Sequence, residues 1–189
     1  MEILEESKRI LLREIIPEDW EEMHEYSSNE ETCKFQPWGP NTEEDSHFFI
    51  NQAIRDRKKR YRRRFVFVIY EKVLKRIIGN IEMNIRDWDG VGEIGFIIHQ
   101  GYWGKGYGSE AALLILRHSF ESCKMHRVFA TCDPANVASA RVLENIGMVK
   151  EGILRKDLLI KGNWRDSAIY GILEEEWGER KNILEEKWL

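Results

Sequence analysis

Cysteine is scarce in this chain, and its three copies, Cys33, Cys123 and Cys132, stand far apart. No close pair of the kind that binds zinc exists, and His99, His118 and His126 sit singly on separate segments, so no metal site is expected. Free thiols in a reducing cytoplasm are the simplest account of such a set. No apolar run approaches the ~20 residues that cross a bilayer. The opening M-E-I-L-E-E-S-K-R lacks the basic start and apolar stretch of a secretory signal. A formal net charge of −4 gives no overall pull toward nucleic acid or an anionic membrane. Internal repeats and low-complexity linkers are missing too. At 189 residues, the chain is expected to form one domain over 1–189 with a substantial core.

Alternating strand and helix patterns fill that length. Arg9 to Ile15 reads as a first strand, and Pro17-Glu18-Asp19 opens a helix that turns Trp20, Met23 and Tyr26 inward. A loop ending F-Q-P-W-G-P precedes a second helix, capped at Asn41 to Glu44 and carrying Phe48, Phe49 and Ala53. Phe65 to Tyr70 and Arg76 to Ile85 form a hairpin, Asp87 to Gly90 turns the chain, and Gly92 to His99 gives another strand. A helix over Ser109 to Phe120, a strand over Arg127 to Cys132 and a helix over Asn136 to Ile146, stopped by Gly147, come next. Extended segments at Met148 to Leu154, Lys156 to Ile160 and Ser167 to Leu173 follow. Residues 174–189 read as a helical tail with Trp177, Ile183, Leu184 and Trp188 as its apolar residues. Mixed α/β follows from the order of the elements.

The stretch that organises the rest is G-E-I-G-F-I-I-H-Q-G-Y-W-G-K-G-Y-G-S-E, from Gly92 to Glu110. Gly104, Gly106 and Gly108 alternate just before a helix, where backbone N–H groups converge and the helix dipole favours an anion. A dinucleotide fingerprint needs glycine where Ser109 stands, and a P-loop needs Gly-Lys-Ser/Thr where this chain has Gly-Tyr-Gly. The run Trp103-Gly104-Lys105-Gly106-Tyr107-Gly108 instead resembles the pyrophosphate loop of the GCN5-related N-acetyltransferase (GNAT) superfamily. Y-W-G-K-G-Y-G-S-E-A and N-V-A-S-A-R-V-L-E-N-I-G-M are similar to the RimJ/RimL-type branch, the ribosomal-protein N-terminal acetyltransferases. The first loop position departs from the general pattern, carrying Trp103 instead of Gln or Arg.

The resemblance implies an α/β (α+β) fold with a central, mostly antiparallel sheet flanked by helices. That sheet would be splayed between the strand at Glu93 to Ile98 and the one at Val128 to Cys132. It further implies acetyl-CoA as co-substrate, held by Trp103, Gly104, Lys105, Gly106, Tyr107, Gly108 and Ser109, with Asn136 and Ser139 on the next helix. Main-chain groups of Phe96, Ile97 and Ile98 would pair with the pantetheine arm. Ser139 is the candidate acid for the departing thiolate, because Leu143 stands where many members carry a tyrosine. Glu93 is the candidate base, the other reading being a glutamate that hydrogen-bonds neighbouring backbone. Some branch members place a catalytic glutamate near Leu158, where this chain offers only the adjacent Asp157.

The expected reaction is direct attack of a primary amine on the thioester. A protein N-terminal α-amine suits a single base better than lysine, whose higher pKa costs roughly 3 to 4 kcal/mol more to neutralise at pH 7. A small amine such as a polyamine or aminoglycoside is the alternative acceptor. A CoA-binding regulatory or RNA-associated module with little catalysis is another, resting on the cation run from Arg55 to Arg64. The favoured reading of that run is a solvated helix end whose cations complement the dipole. Monomer and homodimer both fit the tail.

Overall fold

A computed structural model of the chain describes residues 3–87 and 90–189; Trp88 and Asp89, half of the expected turn at 87–90, lie outside the described residues. One eight-stranded sheet dominates, in spatial order β1-β2-β3-β4-β5-β6-β8-β7. Its strands are β1 (Ile3–Glu6), β2 (Ile10–Glu14), β3 (Arg64–Glu71), β4 (Arg76–Asp87), β5 (Val91–Ile98), β6 (Arg127–Cys132), β7 (Val149–Ile160) and β8 (Asn163–Leu173). The helices are α1 (Trp20–Ser27), α2 (Glu43–Arg57), α3 (Tyr107–Arg117), α4 (Val137–Asn145) and α5 (Glu174–Trp188). Among the described residues no helix is long and apolar enough to cross a membrane.

Every described pairing is antiparallel except β5 with β6, whose parallel register covers only Val91↔Arg127, Gly92↔Val128 and Glu93↔Phe129. Beyond Glu93 the two strands part, which opens the expected splay in the middle of the sheet. The sheet carries a separate apolar cluster on each face. Ile94, Leu113, Leu116, Val128 and Ile172 belong to the face covered by α3, whereas Met23, Tyr26, Ile50, Val66 and Ile97 belong to the face covered by α1 and α2. Helix α3 is buried from Ser109 through Leu116, which is why its sequence is apolar nearly all round.

Some boundaries differ from the expected ones. Strand β1 pairs with β2 at the sheet edge, its residues only partly covered, so its pattern carries no burial alternation. The extended segments on either side of Arg155 form one strand, β7, with a register irregularity between Leu154 and Leu158 and a left-handed Lys156 at φ 50°. Strand β8 begins at Asn163, four residues ahead of expectation, because its first half is held by ladder bonds to β7 and not by burial. Phe48 is exposed; α2 buries Ser46, Ile50 and Ala53 instead. The cap of α2 is Thr42, which accepts from Asp45 N–H at 3.2 Å while Asp45 accepts from Thr42 N–H at 2.9 Å, a reciprocal capping box. Helix α5 folds back on the domain: Trp177 stacks on Phe120 with centroids 5.7 Å apart, and Trp188 reaches the glycine turn.

Candidate active site

The glycine turn follows β5 directly. Gly104 and Gly106 adopt φ of 72° and 84°, a left-handed conformation that only glycine takes up cheaply. Gly108 is glycine for another reason, since a Cβ there would lie 3.1 Å from Val142 Cγ2, where α4 crosses α3. Among the described residues, no acceptor takes the N–H groups of Gly104 through Ser109, while Glu110 N–H donates to the Gly106 carbonyl and starts the helix. Six successive N–H groups at a helix N-terminus, with open space around Gly104, make a cradle suited to a diphosphate.

The side chains of this turn point elsewhere. Trp103 donates its indole N–H to the Ile98 carbonyl at 2.7 Å, tying the turn to the end of β5. Lys105 folds back and donates to the Gly101 carbonyl at 2.9 Å. Tyr107 lies under the Arg9 guanidinium, 4.5 Å from its centroid. The Ser109 hydroxyl is buried and accepts from Asn145 Nδ2 at 3.3 Å, so what Ser109 offers a ligand is its N–H. Glu110, only 1% exposed, is fully engaged by Ser7 and Arg9.

Strand β5 has two kinds of edge. His99 N–H donates to the Ile78 carbonyl at 2.8 Å, and alternation then directs the main-chain groups of Ile97, Gly95 and Glu93 toward β4. Those of Phe96 and Ile98 face the gap. This corrects one expectation: Ile97 spends its N–H and carbonyl in the ladder with Asn80, and its side chain is core. The Ile98 carbonyl already serves Trp103, so Phe96 N–H, Phe96 carbonyl and Ile98 N–H remain for an added extended ligand.

Side chains alternate across the same strand. Ile94 and Ile98 pack on the α3 face and Ile97 on the α1/α2 face, which puts Glu93 and Gly95 with Ile97. Directly opposite on β4 stand Asn84, Glu82 and Asn80, in register with Glu93, Gly95 and Ile97. A Cβ on Gly95 would meet nothing within 4 Å. The floor between Glu93 and Ile97 is therefore open, and it adjoins the point where β5 leaves β6.

Glu93 pairs with the exposed Arg86, and its own side chain is 18% exposed. Glu82 is held by Arg64 at 2.9 Å; Arg64 is also 3.7 Å from Asp56 and lies over the Phe49 ring. Tyr26 donates to Asn80 Oδ1 at 2.9 Å, and burial, reinforced by Asp19 and Glu82, drives its phenol well above the usual range. Tyr26, Phe49, Arg64, Asn80 and Glu82 line a pocket of about 400 Å³, walled further by Met23, Trp38, Phe48 and Asp45; Glu93 lies two positions along β5 from Gly95, which pairs with Glu82. The polar residues at every second position of N-I-E-M-N, in a strand paired on both sides, were a legible signal for this floor. Without a register they named no site.

Asn136 caps α4, its Oδ1 accepting from Ser139 N–H at 3.1 Å, which leaves its amide NH2 to reach a ligand. Burial raises the pKa of the Cys132 thiol, and the Ser139 hydroxyl acts in the opposite direction. Leu158 stands on the protruding β7–β8 hairpin, beside the strand irregularity, and brings no carboxylate to the gap. In the basic run Lys59, Arg62 and Arg64 are paired with Asp56, Glu14 and Glu82, and the helix ends at Arg57, so the run is neither one helical face nor an unpaired cluster.

A family model described as "Acetyltransferase (GNAT) domain" matches residues 9–149. The uncharacterized N-acetyltransferase YnaD of Bacillus subtilis is 38% identical over 172 residues, covering 90% of this chain and 97% of that protein. The [ribosomal protein uS5]-alanine N-acetyltransferase of Escherichia coli is 28% identical over 177 residues, 89% of this chain and 90% of its own. A crystal structure of a GNAT-family acetyltransferase from Bacillus anthracis superposes with a TM-score of 0.83 at 34% identity, covering 92% of this chain and 99% of that one. With the split sheet and the glycine turn in place, these likenesses identify the chain as an acetyltransferase of the GNAT family.

Proposed function

We propose that the protein transfers an acetyl group from acetyl-CoA to the α-amine of a peptide, by direct attack of the amine on the thioester. The observation that carries this reading is the open floor at Gly95, in register with the pocket-lining Glu82, on the strand that runs on into the turn with the unpaired N–H groups of residues 104–109. Acetyl-CoA, when bound, supplies the activated acetyl group. The chain's task is to hold the donor, seat the amine and handle two protons.

The turn from Gly104 to Ser109 would hold the diphosphate through main-chain N–H groups, with Trp103, Lys105 and Tyr107 keeping its shape. Phe96 and Ile98 would receive the extended arm, and the Phe96 N–H faces the gap where negative charge develops on the carbonyl oxygen. Glu93 is the base: its partner Arg86 is exposed, so the pair opens at little cost. Glu82 is clamped by Arg64 inside the pocket and instead orients the incoming ammonium. Ser139, at the positive end of α4, protonates or holds the leaving thiolate, with Asn136 beside it.

The pocket argues for the acceptor. Met23, Tyr26, Trp38, Phe48 and Phe49 make it mostly apolar, one of its carboxylates is neutralised by Arg64, and the other, Asp45, is spent capping α2. A polyamine or aminoglycoside needs several uncompensated carboxylates; an N-terminal residue with an apolar side chain needs one polar end and a greasy wall. The relative that acts on a ribosomal-protein alanine supports the same class. Thiol release from acetyl-CoA with short peptides differing in their first residue, with lysine side-chain peptides, and with spermidine tests this. Apolar first residues are expected to react fastest, and Glu93→Gln to lose about a hundredfold in kcat. Faster turnover of spermidine than of every peptide would overturn the acceptor; no release with any amine would favour a CoA-binding module.

A further inference from the structure

We infer that Arg9, on the turn between β1 and β2, is the residue that aims the anion-binding turn, although it is remote from it in sequence and is not itself a ligand. The inference rests on reading residues 104–109 as a diphosphate cradle. One guanidinium serves that turn at three points. Its Nη1 donates to the Lys105 carbonyl at 3.0 Å, its Nε donates to Glu110 Oε2 at 2.7 Å, and its plane covers the Tyr107 ring at 4.5 Å. Nη2 also donates to the same Oε2, so one carboxylate oxygen is held by two guanidinium N–H groups while Ser7 holds the other.

The first contact sets direction. In a planar trans peptide the carbonyl oxygen and the following N–H point opposite ways. Drawing the Lys105 carbonyl back toward Arg9 therefore turns the Gly106 N–H away from Arg9. Gly106 is backed on the same side by Trp188, since a Cβ there would lie 3.1 Å from Trp188 Cζ3 and 3.4 Å from Arg9 Nη2. Left to itself, a glycine at φ 84° has more than one cheap orientation for its flanking peptides; Arg9 and Trp188 select one.

The second contact sets charge. Glu110 is 1% exposed in the first turn of α3, where a carboxylate favours the helix but opposes a phosphate at the same end. Arg9 cancels that charge and Ser7 completes its hydrogen bonding. Three of the five guanidinium N–H groups of Arg9 are thus spent on the Lys105 carbonyl and on Glu110, and its part is that of a positioning residue.

The test is a titration of 15N-labelled protein with CoA and, separately, with pantetheine, which has the arm but no diphosphate. In the wild type, CoA is expected to move the Gly106 amide strongly downfield and pantetheine to move Phe96 and Ile98 alone. Arg9→Lys keeps the charge but cannot span Glu110 and Lys105 together. It is expected to weaken CoA by about tenfold or more, the loss of one charge-assisted hydrogen bond, with pantetheine unchanged and the Gly106 response lost. Arg9→Gln/Glu110→Gln removes both charges and is expected to stay as weak. A folded Arg9→Lys protein with wild-type CoA affinity, equal weakening of CoA and pantetheine, or full recovery in the double variant would each overturn the inference. A wild-type Gly106 amide that ignores CoA would instead defeat the reading of the turn as the diphosphate site.

Discussion

Gly95 and Glu82 face each other across the β4–β5 ladder, and the space above Gly95 is open. Gly95, the second of the two glycines in β5, thus lies opposite a carboxylate, just past the place where the neighbouring strand departs. A leucine there would put its side chain where the amine is proposed to sit. Gly95→Leu is expected to change stability by less than about 1 kcal/mol, because strand interiors accept Leu better than Gly. In the same protein kcat/KM for the amine should fall by about a hundredfold or more, with calorimetric affinity for CoA retained. A fully active Gly95→Leu enzyme would place the acceptor elsewhere.

The Ser139 hydroxyl lowers the pKa that burial raises at Cys132, and replacing each residue in turn separates chemistry from packing. Ser139→Ala is expected to lower kcat about a hundredfold at unchanged KM for acetyl-CoA, as loss of a proton donor does. Cys132→Ala should leave kcat within a few-fold of wild type. Equal effects of the two substitutions in steady-state assays would mean that the pair matters for packing alone.

Arg13 and Asp19 form a buried, two-pronged ion pair, both bonds 2.7 Å, and each side chain is 5% exposed. Asp19 also accepts from Ile16 N–H at 2.9 Å, so it fastens the start of α1 to β2. Asp19→Ala strands the guanidinium and is expected to cost about 3–5 kcal/mol in urea unfolding. A loss below about 1 kcal/mol would show that the pair is dispensable.

His118 is half-buried beside Cys123 Sγ at 3.4 Å, and burial lowers its pKa below the ordinary 6.5, outweighing the opposite pull of Glu5. The neutral ring is thus the form the folded state prefers. Its contribution to stability is whole above pH 6.5 and is lost as pH falls toward the lowered value, since the unfolded chain then takes up a proton first. Unfolding midpoints are expected to drop between about pH 7 and pH 5.5, with a shallower drop in His118→Phe. An identical pH slope in the variant would assign the effect to other groups.

The sequence by itself determined whatever depends on neighbours along the chain. The alternating glycines before a helix, the helix start at Asn136 and the apolar length of α3 are local consequences of backbone sterics and periodicity, and each was legible without coordinates; the left-handed φ values and the Asn136 cap came with the structure. Only the tertiary structure decided which groups meet. Glu110 finds Arg9 across 101 residues, Glu82 finds Gly95 through the register of two strands, and Ile97 loses its place among the ligand-facing residues because alternation sends its main chain into β4. Strand β1 and the outer half of β8 were invisible for the same reason: ladder bonds hold them, and those leave no periodic trace of burial in the sequence. Register is chosen by the sum of the contacts along each ladder, and no short run of residues contains it.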